Sequence, residues 1–527
     1  TSTVAVSTVR FEGRQPPKQK KLSENIVIGK DILELVSGAM YVEPLTIVRE
    51  YIQNAVDATD EAEAAGLYTD KDKPRIEVVV DLGERRLRIR DNGIGVNNAN
   101  FAKRLTAFGA SKKRGTRARG FRGVGRLSGL GYCQELIFRS RSDSDSQVME
   151  LSWDGRRFKD ILLDPNYKGD LNDVVREVTS ITSFSGTGYP KHFFEVELRS
   201  LPRHKTDDLL NEQVIERYLA QVAPVPFHPE FDFGPEINKF LGKYGLGRSY
   251  EIFIGTTAKP EPGLDPIFRT YRNDFTVFAG KKDGFSSVDF WTLPGVDGEV
   301  AAAGWILDHS YYGAIPRSEG IKGLRLRSGN IQVGSDEIMA EVFHEPRFNS
   351  WMVGEIHIVS PKLIPNGRRD AFEANAHFAN LESHVAAQAR TIAKTCRDKS
   401  KRRNFERRLE LEKEKIYEKL TMISRRSLPR TIKDKLRREV TLHIKTLDKL
   451  ILSIGDDVLR EKFEHMLRRI KGRVGKNIDE SVLRDPLARF PKPKREMYRQ
   501  VIGLIFESAP RNVAGPLVEK LLAKLSR

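Results

Sequence analysis

The chain has 527 residues, 39% of them hydrophobic, enough apolar material for two or three domains, which excludes a small scaffold that needs staples to fold. Only two cysteines occur, Cys133 and Cys396, without CxxC spacing, so no disulfide framework or thiolate metal site is expected and a reducing compartment is the natural reading. The net charge of +17 is uneven: residues 391–527 hold 37 Lys and Arg against 19 Asp and Glu, while the rest is almost neutral. Such a local excess favours a polyanionic partner, although a solvated helical surface can carry it alone. No apolar run approaches the ~18 residues of a membrane span and the start is polar and basic, so a soluble cytoplasmic protein is expected, or a nuclear one if eukaryotic.

In chain order, residues 1–27 read as a flexible arm, followed by helical periodicity in Ile32, Leu33, Leu35, Val36 and Met40. A second helix starts near Pro44, a favourable first-turn residue. Strands are expected at 76–80 and 87–90, joined as a hairpin by Leu82-Gly83-Glu84. Glycine clusters dominate 109–131, and further strands at 135–139 and 193–198 complete a mixed domain over 28–200. Residues 201–249 form a junction, with a short helical pattern at 211–222 and a Pro-rich stretch. Strand-like segments at 251–254, 331–333 and 355–359 between Gly and Pro turns indicate a second α+β domain over 250–385. Residues 386–527 are basic and helical, with 392–423 rich in Arg, Lys, Glu and Leu.

Three motifs carry chemistry. Glu50, Asn54 and Asp57 recur at i, i+4 and i+7 and share one helix face, beside an apolar stripe of Leu45, Val48, Ile52 and Ala55. Taken alone, such a row also suits an ordinary solvated helix. Asp91-Asn92-Gly93-Ile94-Gly95 closes the strand at 87–90. Its aspartate can accept a hydrogen bond from an amino group and its glycines permit close approach, although Asp-Asn-Gly also builds hairpin turns. Gly120-Phe121-Arg122-Gly123-Val124-Gly125 opens a helix, whose unpaired N–H groups and positive dipole end suit phosphate oxygens. There is no GxxxxGK[ST] run, and the flanking features of a dinucleotide site are missing.

In this order and spacing the motifs resemble those of the GHKL ATPases, which include gyrase-type topoisomerases, heat-shock chaperones, histidine kinases and MutL. The resemblance covers residues 28–200 and implies a Bergerat-type α/β sandwich that binds ATP with Mg²⁺. It implies that Glu50 is the general base orienting water toward the γ-phosphate, that Asn54 ligates Mg²⁺, and that Asp57 supports the pocket. Asp91 would read the adenine amino group, with Gly93 and Gly95 lining the ring. Gly120, Phe121, Gly123, Val124 and Gly125 would hold the phosphates, and Thr187, in Gly186-Thr187, would stand in the last box. Residues 97–119 would be a mobile lid, whose Lys112 either touches phosphate or is merely solvated.

Within that group a phospho-acceptor helix before Glu50 is not evident and an α+β region follows, unlike a histidine kinase. The layout is more similar to the ninety-kilodalton heat-shock chaperones, MutL and the MORC ATPases, in which a transducer-like second domain donates a basic residue to the γ-phosphate. Arg368 or Arg369, in Ile364-Pro365-Asn366-Gly367-Arg368-Arg369-Asp370, would be that residue. The expected function is a chaperone-like ATPase working as a nucleotide-gated homodimeric clamp, with a protein client or nucleic acid bound through the basic C-terminal region. The chain is shorter than typical chaperones of this kind, and its C-terminal part is basic where theirs are often acidic. The alternative is therefore a MORC-like or MutL-like nucleic-acid clamp.

Overall fold

The computed structural model describes residues 43–70, 72–106, 125–203, 206–257, 263–277, 280–424, 430–454, 457–479, 487 and 489–525. The expected arm, the first helical pattern, Lys112, and residues 120–124 lie outside them. The contacts divide the chain into two units, Thr1–Ala389 and Arg390–Arg527. The protein is mixed α+β, with an N-terminal α/β sheet domain, further sheets and C-terminal helices, as the sequence implies.

Helix α1 (Leu45–Ala64) starts directly after Pro44. Its residues Ile47, Val48, Tyr51, Ile52, Ala55 and Val56, three or four apart, are all buried. Each large aliphatic buried in this way contributes about 1.5–3 kcal/mol. The stripe packs on a sheet that includes the expected hairpin, β1 (Ile76–Asp81) and β2 (Arg86–Asp91), with Ile76 opposite Asp91. Alternation along β2 buries Leu87, Ile89 and Asp91 on the helix side. Arg86, Arg88 and Arg90 therefore face the other way. There Arg90 pairs at 2.6 Å with Glu195 of β6 (Phe193–Arg199), and Arg139 of β3 (Glu135–Arg141) bridges Glu195 and Glu197 at 2.7 and 2.5 Å. The same period-2 rule thus sends one carboxylate of β2 into the core side while its arginines satisfy the acids of β6.

The remaining strands are β4 (Gln147–Asp154), β5 (Thr179–Ser185), β7 (Ile252–Thr256) and β8 (Asp265–Pro266), giving the order β5-β4-β3-β6-β2-β1-β7-β8. Helices α2 (Asn98–Thr106), α3 (Gly155–Leu163), α4 (Leu171–Val178) and α5 (Glu212–Val222) complete this part. The sheet runs past the boundary expected at residue 200. Strand β7, expected in the second domain, lies parallel to β1 with Ile76 opposite Ile252, and Ile252 and Ile254 enter the first core. Its amino acids mark it as a strand, but the edge it joins depends on contacts about 170 residues away in the chain, which no local pattern encodes.

The second sheet has the order β11-β12-β15-β13-β14: β11 (Ser287–Pro294), β12 (Val300–Asp308), β13 (Gly323–Ser328), β14 (Ile331–Val333) and β15 (Val353–Ile358). Helix α6 (Gly234–Gly242) packs against β12, and β9 (Asp274–Thr276) pairs with β10 (Lys282–Gly284). A buried ionic cluster ties this sheet to the segment that follows α5. Glu355 accepts from Arg327 at 2.6 Å, Tyr271 at 3.1 Å and His357 at 3.0 Å, and pairs with Arg269. Burial alone would raise the Glu355 carboxyl, but Arg269 and Arg327 hold it well below the usual range; burial pushes His357 down to about 4. Arg327 also donates to the Gln221 carbonyl at 2.5 Å, and Arg269 to the Val225 carbonyl at 3.1 Å. The last turn of α5 is thereby fastened to the second sheet.

In the second unit, helices α7 (Ala376–Ile423, belonging to it from Arg390), α8 (Arg430–Leu452) and α9 (Asp457–Asp479) share one apolar core, and α10 (Lys492–Ser508) with α11 (Arg511–Leu525) forms another. Among the described residues no helix is long and apolar enough to cross a membrane.

Candidate active site

The face of α1 opposite solvent carries the polar row as its spacing requires. Glu50 and Asp57 are buried, at 9% and 3% exposure, and Asn54 is half-buried. Glu50 Oε1 is enclosed yet accepts no hydrogen bond from the described residues, among which Arg49 Nη2 stands 3.5 Å from it. An enclosed carboxylate oxygen left open is costly unless something else, such as water or a ligand, bonds to it.

Asp91 is buried, and its Oδ1 accepts from the Gly93 N–H at 2.8 Å. Burial pushes its carboxyl up to about 8, against the lowering effect of the Gly93 and Phe194 N–H groups. The loop after it is held from three sides. Ile94 N–H donates to Ala58 of α1 at 3.0 Å, Val96 N–H to Ser140 Oγ at 2.8 Å, and buried His192 donates through Nδ1 to the Gly93 carbonyl at 2.9 Å. Gly95 adopts φ +69°, and a Cβ there would lie 2.1 Å from the Arg141 carbonyl, so this position accepts glycine alone. At Gly93 a Cβ would lie 2.6 Å from the Ala58 backbone.

The glycine motif at 120–125 is described only from Gly125, where the expected helix takes the form of a short 3-10 helix, Gly125–Gly131. Tyr51 of α1 fastens it, donating to the Arg126 carbonyl at 3.0 Å and accepting from Gly129 N–H at 3.0 Å. A Cβ on Gly125 would come 2.7 Å from Glu50 Oε2, so the last glycine of this motif and the polar row of α1 are immediate neighbours. Burial, and then Arg104, lower the adjacent Arg126 to about 10.

Thr187 is not brought to this cluster. It is exposed, and its hydroxyl lies 2.9 Å from Ser185. Phe194 pairs with Asp91 in the sheet, and His192, not Thr187, reaches Gly93. Phe194 lies seven positions after Thr187, a distance in the chain that the Gly-Thr motif alone does not reveal.

The loop carrying Arg368 and Arg369 does reach α1. The Arg368 carbonyl accepts from Arg49 Nη2 at 3.0 Å, while its guanidinium is exposed and paired with Asp370 at 3.1 Å. Arg369 is 6% exposed with φ +55°, its carbonyl held by Gly334 N–H at 2.8 Å. Both line a cavity of about 580 Å³, with Arg49, Arg317, Tyr218 and Gln221 also on its wall. Arg49, Tyr51 and His192 are structural partners that motif reading missed; the first two adjoin Glu50 in sequence, but nothing local in His192 signals its role.

Residues 42–180 match the family model of the histidine kinase-, DNA gyrase B- and HSP90-like ATPases. This segment is a GHKL-type ATPase domain. It resembles that of the Hsp90 family in particular. The chaperone protein HtpG of Enterobacter sp. is 27% identical over 163 residues, 28% of this chain and 26% of that protein. HtpG of Psychrobacter arcticus is 37% identical over 92 residues, 16% of this chain and 14% of that protein. For HtpG of Campylobacter jejuni subsp. doylei the identity is 25% over 185 residues, 32% and 29% of the two chains. The match thus spans under a third of these relatives' length. The GHKL-type domain contains Glu50, Asn54, Asp57, Asp91 and Gly125, and the Arg368–Arg369 loop lies outside the matched segment.

Proposed function

We propose that the protein hydrolyses ATP and uses the cycle to open and close a chaperone-like dimeric clamp. The observation that carries this reading is the meeting of three separate chain segments at Glu50: its own helix, Gly125, and, through Arg49, the Arg368–Arg369 loop. Asp91 accepts a hydrogen bond from the adenine amino group, and the close-packed Gly93 and Gly95 shape the floor beneath the ring. Glu50, whose enclosed Oε1 accepts no hydrogen bond among the described residues, orients the water and takes its proton. Asn54 would hold Mg²⁺ through its amide oxygen, the kind of ligand that hard cation prefers, and the ion would supply positive charge against the phosphates. Arg369, buried in the cavity wall, supplies positive charge toward the γ-phosphate, while the Arg368 side chain pairs with Asp370 inside the loop. The cytoplasm is the proposed compartment, with a protein as the proposed client.

The test is Glu50→Ala. Nucleotide affinity by calorimetry stays near wild type while steady-state turnover falls by about 10² to 10⁴-fold, the usual contribution of a positioned base. Undiminished turnover in a preparation free of contaminating ATPase removes Glu50 from this role.

A further inference from the structure

We propose that the outward face of α8 is a binding surface for duplex DNA, which it grips by the phosphates through Lys435, Arg438, Lys445 and Lys449. Helix α8 carries seven Lys and Arg and three acids, and each acid is already engaged. Asp434 pairs with Arg437 at 2.9 Å, Glu439 with Lys419 of α7, and Asp448 with Lys471 of α9 at 2.9 Å. Glu439 and Asp448 therefore tie α8 to its neighbours, Asp434 is spent within the helix, and among the described residues no ion pair compensates the outer cations.

Helical geometry separates the two faces. Leu436, Val440, Leu447 and Ile451 are buried in the bundle core. Lys435, Arg438, Lys445 and Lys449 are exposed, and at 100° per residue they fall in one row on the opposite side, together with Leu442 at 63% exposure. No acid lies in that row. It extends for about 21 Å, the length of roughly six base pairs. At its N-terminal half, Thr431, Lys435, Arg438, Glu439 and Leu442 border a surface hollow of about 500 Å³.

The chemistry of the row selects its occupant. A second copy of the same face would set cation against cation. A single strand would call for aromatic side chains on which to stack bases, and the row has none. A linear row of point charges suits a phosphate backbone, and B-form DNA, with a major groove about 12 Å wide, admits a helix face where the deep, narrow groove of A-form RNA does not. This surface belongs to the unit beginning at Arg390 and does not rest on the ATPase reading.

The experiment is fluorescence anisotropy of a labelled 20-base-pair DNA duplex with the full chain, across a salt series. Two variants are compared: Lys435, Arg438, Lys445 and Lys449 all changed to Gln, and a control with exposed Arg156, Lys168, Lys243 and Lys282 changed to Gln. The α8 variant binds at least tenfold more weakly at 100 mM salt. Its logarithmic salt slope is shallower by about 3 to 4, since each phosphate contact contributes about −0.9. The control stays within twofold of wild type, and circular dichroism melting shows both variants folded, because every changed residue is at the surface. Absence of wild-type binding at low salt, equal losses in the two variants, or binding of a 20-base-pair RNA duplex as tight as that of DNA would each overturn the proposal.

Discussion

Arg49 donates through Nη2 to the Arg368 main-chain carbonyl at 3.0 Å and stands 3.5 Å from the Glu50 carboxylate, so one guanidinium touches both the α1 polar row and the loop from the second sheet. The contact to Arg368 is to the backbone, so it fixes where the loop lies whatever side chain position 368 carries. That separates the two arginines. Arg369→Ala should lower turnover by at least about tenfold, as expected on losing a preorganised cation, whereas Arg368→Ala should have a much smaller effect. Single-turnover rates at saturating ATP decide it, and the reverse order would transfer the role to Arg368.

Asp91 makes nucleotide binding depend on pH. With its carboxyl pushed up to about 8 by burial, the empty pocket is largely protonated at neutral pH, while an adenine amino donor selects the carboxylate. Affinity should therefore rise with pH between 6 and 8, by at most about tenfold per unit, and level off above. Calorimetry in two buffers of different ionisation enthalpy should show proton release on binding at pH 7. Asp91→Asn removes that release and weakens binding by about 1 to 3 kcal/mol, the cost of a mispaired buried polar group.

The same group affects stability in the opposite sense. The native state binds this proton more tightly than the unfolded chain, whose carboxyl keeps the ordinary value of 3.8. Its favourable contribution is thus complete below that value and is lost as pH rises toward about 8. Melting curves of Asp91→Asn should gain on wild type steadily from pH 5 to pH 8. A difference independent of pH would mean that Asp91 ionises normally in the folded protein.

Gly125→Ala places a methyl 2.7 Å from Glu50 Oε2 and must displace one of them. Turnover should fall on the order of tenfold to a hundredfold, as small misplacements of a reacting group do, with a smaller change in nucleotide affinity. Equal losses in turnover and affinity would show that the methyl disrupts the pocket as a whole.

The clamp itself is tested by small-angle scattering of Glu50→Ala, which holds ATP without consuming it. Saturating ATP should produce compaction or dimerisation, and ADP should not. Superimposable profiles with and without ATP would sink the gating mechanism while leaving hydrolysis intact.

The parts of this protein that were legible in its sequence are those set by periodicity and by residue chemistry. The 3.6-residue period puts Glu50, Asn54 and Asp57 beside the buried stripe of α1, and the two-residue period of β2 turns Asp91 toward the same side as Leu87 and Ile89. Tertiary structure alone decided which distant segments meet there. The motif glycine Gly125 abuts Glu50 because Tyr51 holds the 3-10 helix; Thr187 stays at the surface while His192 reaches Gly93; and β7 crosses the expected boundary to pair with β1. Arg368 and Arg369 are alike in sequence, yet φ +55° at Arg369 and the Arg49 bond to the Arg368 carbonyl bury one side chain and expose the other. Local patterns say which face of an element is apolar, but long-range packing decides what that face is pressed against.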